Sequence, residues 1–402
     1  MNSQQNNKYS FINLFLWGRG IYRKIPPYFR WIFTPLKWVL KFINIFRFDL
    51  WVIMGDEITS KQALGILYAG KEENKNYMVN LAFDRPYEEN YIGNMWLYGL
   101  VKKVKEKNNC SLMVVEGPHF FRLFFKNMKW FYIPCWISGE IDISNEISSL
   151  ITKESLKSDI RRIKKNNLSF EATNEISRLH DFYHNMYLPY ITEAHNDEAF
   201  IKGYDLVKEK LKNCDLIFIK SKEEYIGGCL IVYAGKRARL WCLGVKNGNR
   251  DYLQQGVVGA IYYFSFCYLK DRGFRKAGLG DTRAFFKDGV LQYKKKWGMR
   301  IIDASPSGFL VNILPEGSSA KRFFLNNPFI YLDKGKLEGA IFIENDQLLS
   351  DKDFREIYKD YYRQGISKLI LYRFEGCGSR AKETVPPDLS GSMEIRSVES
   401  LF

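Results

Sequence analysis

The stretch Ala277–Gly298, AGLGDTRAFFKDGVLQYKKKWG, decides how this chain is read. It has the pattern of a short strand, a polar turn at Gly280, Asp281, Thr282 and Arg283, and a helix from Asp288 to Trp297. An aspartate, an arginine, a tyrosine and three lysines (Lys294, Lys295, Lys296) thus gather where a strand ends and a helix begins. Strand ends are where α/β proteins place their sites. A turn carrying both charges, if buried, is a costly place for structure alone, although Asp281 and Arg283 also suit a structural ion pair.

Working outward, the 402 residues suggest roughly two to three domains. Hydrophobic residues at 46% and aromatics at 16% are ample for folded cores and exclude a disordered chain. A formal charge of +15 favours acidic partners, whether nucleic acid, anionic lipid or phosphorylated small molecules. The seven cysteines show no CxxC pair, which favours reduced thiols in a cytoplasmic setting over a disulfide frame or structural zinc.

Residues 1–48 contain no Asp or Glu, while Lys8, Arg19, Arg23, Lys24, Arg30, Lys37, Lys41 and Arg47 lie among many aromatics. No apolar run there approaches the ~20 residues of a spanning helix. From Thr34 and Pro35, the residues Leu36, Val39, Leu40 and Ile43 recur at helical spacing. This suits an interfacial segment held by anionic lipid, and equally a helix packed on its own domain.

The expected fold class is α/β (α+β). Residues 49–145 read as one half, with strands at 51–54, 63–68, 77–81, 112–115 and 136–143 and helices at 94–107 and 120–127. Residues 146–307 read as a second half: a basic helix over 146–167, helices at 176–187 and 200–212, strands at 216–220, 227–233 and 238–245, and a helix over 253–270 before the opening strand. A small α/β appendix over 308–375 and a mobile tail over 376–402 complete the expected organisation.

Two further groups carry candidate chemistry. The loop Lys246–Gly256, KNGNRDYLQQG, lies between a strand and a helix, so its amides and the helix dipole suit a pyrophosphate, with Lys246 and Arg250 adding charge. It matches neither the P-loop nor GxGxxG, and an ordinary βα turn is the alternative. His180 and His184 share a helix face, yet no neighbour completes a metal shell, so no metal is expected.

The run Gly280-Asp281-Thr282, Asp288-Gly289, Tyr293-Lys294, Trp297-Gly298 resembles the closing signature of FemAB-like and BioF2-like acyltransferases of the GNAT superfamily. Leu156–Asn167 resembles that family's basic helix. Phe182-Tyr183 and the stretch to His195 resemble its next helix and substrate loop, and Gly227-Gly228 its central strand. The resemblance covers 141–303 and, more faintly, the unit before it. It implies two GNAT-like halves with a mixed central sheet in each. It also implies transfer of an acyl group from acyl-CoA to an amine of a cell-envelope, polysaccharide or lipid-linked acceptor at the inner face of the plasma membrane. An aminoacyl-tRNA donor or a non-enzymatic binding scaffold are the alternatives.

The roles implied are Asp281 as base or amine anchor, Tyr293 as proton donor to the leaving group, and Arg283, Lys294 and His195 as substrate binders. The cofactor's pyrophosphate would sit against Lys246, Asn247, Gly248, Asn249, Arg250, Gln255, Gly256 and Gly259. The superfamily's Q/RxxGxG/A is not intact, because Gln254 and Gln255 precede Gly256 and Gly259-Ala260 follow.

Overall fold

The computed structural model describes residues 44–105, 110–125, 130–144, 154–195, 200–210, 213–313, 318–344, 348–374 and 384–398. The amphipathic reading from Thr34 and the first part of the expected helix over 146–167 lie outside them. Among the described residues the chain is a mixed α/β protein with three mixed sheets.

The first part runs β1 (Arg47–Glu57), β2 (Ala63–Gly70), α1 (Glu72–Ala82), β3 (Phe83–Trp96), α2 (Leu97–Lys105), β4 (Leu112–Pro118), β5 (Phe131–Pro134) and β6 (Ile137–Asp142). Tyr77–Leu81, expected as a strand, is helical. Glu72 and Glu73 stand in the first turn, where the dipole favours them, and Tyr77, Met78, Val79 and Ala82 form the buried face. The helix expected over 94–107 begins only at Leu97, since Asn94–Trp96 still pair with β1. The helix expected over 120–127 is a short 3₁₀ segment, His119–Phe124.

Next come α3 (Lys157–Lys165), β7 (Leu168–Thr173), α4 (Ile176–Asp181), a π-helical turn, α5 (Leu188–His195), α6 (Tyr204–Lys210), β8 (Cys214–Ser221), β9 (Glu224–Ala234) and β10 (Arg237–Val245). The helix expected over 253–270 is two: α7 (Arg250–Gln255) and α8 (Val257–Asp271), broken where Gly256 turns left-handed at φ 95°. β11 (Lys276–Thr282), α9 (Gly289–Trp297), β12 (Arg300–Ala304) and β13 (Ser307–Ile313) follow. α10 (Ser318–Asn326), β14 (Phe329–Asp333), β15 (Lys336–Ile343), α11 (Asp351–Tyr361), β16 (Leu369–Arg373) and β17 (Met393–Ser397) end the fold. Ser350 and Asp353 cap α11 reciprocally, as their spacing predicts.

The sheets read β3-β1-β2-β4-β13-β5, β12-β6-β11-β10-β9-β8-β7 and β14-β15-β16-β17. Two strands do not follow the divisions expected at 145/146 and 307/308. β6 pairs with β11 and β12 in the second sheet, and β13 returns to pair with β4 and β5 in the first. The physical reason is backbone pairing: each strand satisfies its amides in the other sheet, so the halves are interleaved. The mobile tail expected from 376 is corrected likewise for Met393–Ser397, which pair in parallel with β16.

All three sheets share one core, running from Ile53 and Ile66 through Ile217, Ile261 and Trp297 to Ile341 and Leu371. Its crossing point is the turn after β11. Ala284 and Phe286 exchange backbone hydrogen bonds with Ile330 and Pro328, and Phe285 forms a bridge with Phe329. Arg283 reaches the other way, to α1. Burial of these aromatics ties the second sheet to the third.

Candidate active site at the end of β11

β10 and β11 run parallel but pair at only two positions, Ala238 with Ala277 and Arg239 with Gly278. A bulge against β6 falls between Gly278 and Asp281. Gly280 there has φ 71°, and a Cβ would come within 3.0 Å of the Leu240 carbonyl, so both backbone angle and space require glycine. The bulge turns the end of β11 so that Asp281 stands at the mouth of the divergence, its side chain 41% exposed.

Asp281 is held on three sides. Ser138 donates to one carboxylate oxygen at 2.6 Å, Arg239 meets the other at 2.6 Å, and the Lys294 ammonium donates to the Asp281 carbonyl at 2.7 Å. Burial works to raise the carboxyl pKa, but the Ser138 hydrogen bond and the Arg239 and Lys294 charges outweigh it and hold it below the usual range. The group is therefore ionised at neutral pH. It is suited to orienting an ammonium and is a weak base.

Lys294 is 3% exposed, and its pKa is lowered to about 7. Burial is the main cause. Asp281 and Asp288 oppose it, while Arg239 and Lys202 add to it. The helix that carries Lys294 is fixed by Asp288, which caps α9 by accepting from Leu291 N and also accepts from the Thr282 hydroxyl, both at 2.9 Å. The signature residues Thr282, Asp288 and Lys294 thus form one brace that sets the position of the Asp281 backbone. Lys202 lies over the Trp241 ring at 5.4 Å, which adds a cation and an aromatic face on the β10 side.

Arg283 and Tyr293 are not part of this mouth. Arg283 is 5% exposed; it donates to Asn74 Oδ1 at 2.8 Å and lies between the rings of Tyr77 at 4.3 Å and Trp136 at 4.0 Å. The structure places it in the joint between the sheets, not in an ion pair with Asp281. Tyr293, one residue from Lys294 and so about 100° around the helix, faces α3 and α8. Its hydroxyl lies 3.5 Å from Asp159, which Lys296 meets at 2.7 Å, and its ring packs edge-on against Tyr262. Burial and the Asp159 charge push the phenol pKa up. Trp297 is fully buried against Tyr262 and Phe266, as core.

The residues expected to cradle a pyrophosphate are dispersed. Lys246 pairs with Glu224 at 2.8 Å, Arg250 with Glu193 at 3.2 Å, and Asn249 caps α7. Asn247 and Gly248 form a left-handed turn, with Gly248 close to Pro189 and Glu193. Gly256 and Gly259 face α3: a Cβ at Gly256 would meet Arg162 at 2.8 Å, and one at Gly259 would meet Asp159 at 3.0 Å. His195 ends α5, and its side chain lies outside the described residues.

Gln255, one of the residues expected to hold the pyrophosphate, instead lines a hollow beside this junction. The hollow holds about 390 Å³ and is lined by Arg161, Arg162, Lys165, Asn166, Asp251, Gln254 and Gln255. Asn166 anchors its floor by donating to the carbonyls of Arg162 and Gln255, both at 2.9 Å. A second hollow of about 540 Å³, lined by Lys157, Ile160, Arg161, Lys164 and Lys165, continues along α3. The RRIKK run, Arg161–Lys165, supplies the cations of the first hollow. Arg239 and Lys202 were unmarked by any motif.

The His180 and His184 rings lie 4.4 Å apart, tilted by 40°, but no group of three or more potential ligands to a metal occurs among the described residues. No helix among them is long and apolar enough to cross a membrane.

No family model matches the sequence, and no curated protein matches it. Solved structures with some similarity include FemX, at 12% identity and a TM-score of 0.34 over 65% of this chain and 84% of that one. L-PGS from Bacillus licheniformis aligns at 9% identity and a TM-score of 0.32, over 64% of this chain and 80% of its own. A GCN5-related N-acetyltransferase from Sphaerobacter thermophilus aligns at 12% identity and a TM-score of 0.29, over 62% and 73%.

Proposed function

We propose that this protein is an acyltransferase that moves an acyl group from an acyl-CoA thioester to an amine, at the divergence of β10 and β11. The observation that carries the reading is the braced Asp281, an ionised carboxylate presented at the mouth of two parting strands with cations around it. In this reading Asp281 orients the acceptor ammonium, which loses one proton to solvent before its neutral nitrogen attacks the thioester carbonyl carbon; the second proton, acidic once nitrogen has bonded, is relayed by Asp281 to the departing sulfur. The carbon–sulfur bond then breaks, and the thiolate leaves with its electron pair. Amides of β10 beyond Arg239, where no β11 partner is paired, would bind the carbonyl oxygen as charge develops. Lys294 acts through the Asp281 backbone and is a positioning residue.

The donor's phosphates fit the hollow formed by α3 and α7, where Arg161, Arg162 and Lys165 have no carboxylate within ion-pair distance among the described residues. This moves the proposed anion site from the Lys246–Arg250 loop, whose two cations are paired with glutamates. A cell-envelope or lipid-linked acceptor suits the basic composition, and its amine is the group Asp281 would recognise.

An aminoacyl-tRNA donor is favoured by one observation: the basic surface continues along α3 through Lys157 and Lys164, further than a pyrophosphate needs. The two readings separate in single-turnover transfer assays of the full chain with labelled acyl-CoA and with aminoacyl-tRNA. Activity with tRNA alone, falling steeply with salt, would replace the first donor by the second.

A further inference from the structure

At the end of the first sheet, remote in sequence from the β11 turn, large apolar side chains stand in solvent. On the 3₁₀ segment Phe120 is 41%, Leu123 71% and Phe124 47% exposed, while Phe121 and Phe125 are buried beneath them. Phe46 joins this segment to the start of β1, with its ring 6.3 Å from Phe120 and 6.2 Å from Phe124, and its carbonyl accepts from Leu97 N. On either side of Leu97, Trp96 is 49% and Tyr98 86% exposed, and Ile45 adds to the same edge. Phe120, Leu123 and Phe124 thus stand together in solvent around Phe46, while Trp96, paired with Arg47 on the face of β1 opposite Phe48, and Tyr98 flank them.

The patch carries cations. Arg47 lies over the Trp96 ring at 5.5 Å, Arg122 is exposed within the 3₁₀ segment, and Lys102 is exposed one turn after Tyr98 on α2. Aromatic and leucine side chains with arginine and lysine at their margin are the composition of a membrane interface, where rings enter the headgroup layer and cations meet anionic lipid. Charge decides between lipid and the chain's own N-terminal residues as occupant. Residues 1–43 hold seven Lys and Arg and no Asp or Glu, so they repel the cations of the patch. Both would be drawn to one anionic surface, and the described chain begins at Asn44, beside the patch.

We propose that Phe120, Leu123 and Phe124, flanked by Trp96 and Tyr98, form a membrane-inserting face for an anionic lipid bilayer. It is built into the folded domain and is separate from residues 1–43. The proposal does not rest on the acyltransferase reading, because vesicle binding needs no substrate.

The test is sedimentation of the full chain with phosphatidylcholine vesicles, with and without phosphatidylglycerol. The wild type is expected to pellet with the anionic vesicles only. The double variant Leu123→Asp/Phe124→Asp should bind about tenfold or more weakly, since it removes two inserting side chains. Arg122→Glu should weaken binding to anionic vesicles and leave the melting temperature unchanged, which keeps the test decisive if the double variant folds poorly. Undiminished binding of folded variants, or no binding by the wild type, overturns the proposal. So does a loss of binding that accompanies conversion of a dimer to a monomer, which would make the patch a contact between copies.

Discussion

Lys294 donates its ammonium to the main-chain carbonyl of Asp281 at 2.7 Å, so the helix that follows the turn holds the residue at the turn's start. The contact spans thirteen residues of sequence and needs a buried cation, which explains the brace of Thr282, Asp288 and Lys294 around it.

The burial of Lys294 has a consequence for pH. Its pKa falls from 10.5 to about 7, so the unfolded chain binds more protons between those values. Stability from this group is fully present above pH 10.5 and is lost as pH falls toward 7. Lys294→Met should therefore remove an alkaline rise in stability, of the order of a few kcal/mol. Denaturant midpoints for both proteins across this range test it; parallel curves would show that Lys294 titrates normally.

Asp281 is ionised because Ser138 and Arg239 outweigh its partial burial. Arg239→Ala should raise the carboxyl pKa and move the acid limb of kcat/KM to higher pH. Asp281→Asn should lower transfer about 100-fold with a smaller change in donor KM. An unmoved acid limb in Arg239→Ala would remove the ion pair from the account of that limb.

Arg283 should matter to folding more than to substrate. Arg283→Ala deletes a hydrogen bond to Asn74 and two ring contacts in the joint between the sheets. The expected loss is about 2–4 kcal/mol, measured by denaturant titration. Full stability with a raised acceptor KM would return Arg283 to substrate binding.

Gly256 separates α7 from α8 in a left-handed turn and lets Arg162 of α3 approach. Gly256→Ala should cost about 1–3 kcal/mol through backbone strain and the Arg162 contact. It should also weaken binding of a phosphate-bearing donor by displacing α3. Unchanged donor affinity in the folded variant would detach the hollow from the junction.

The fold class and the decisive strand, turn and helix were legible because Leu279, Leu291 and Trp297 keep strand and helix periods and Asp288 is an N-cap. The interleaving was not: β6 and β13 read as strands, but nothing local tells which sheet a strand joins. Tyr77–Leu81 shows the same limit, since five residues with three apolar side chains fit either period. At the site, Asp281 could be marked as a charge at a strand end, whereas Arg239 and Ser138 are partners only through register with β11. Arg283 was read beside Asp281 because the two are sequence neighbours, while its spatial neighbours are Tyr77 and Trp136. The two glutamates that occupy Lys246 and Arg250 are distant in sequence, at 224 and 193.

The most direct measurement is calorimetric titration of acetyl-CoA and longer acyl-CoAs into the full chain, beside an Arg161→Ala/Arg162→Ala/Lys165→Ala variant. Saturable binding by the wild type, weakened about tenfold or more in the variant, is the expected result. No binding of any acyl-CoA by the folded wild type, or equal binding by both proteins, would contradict it.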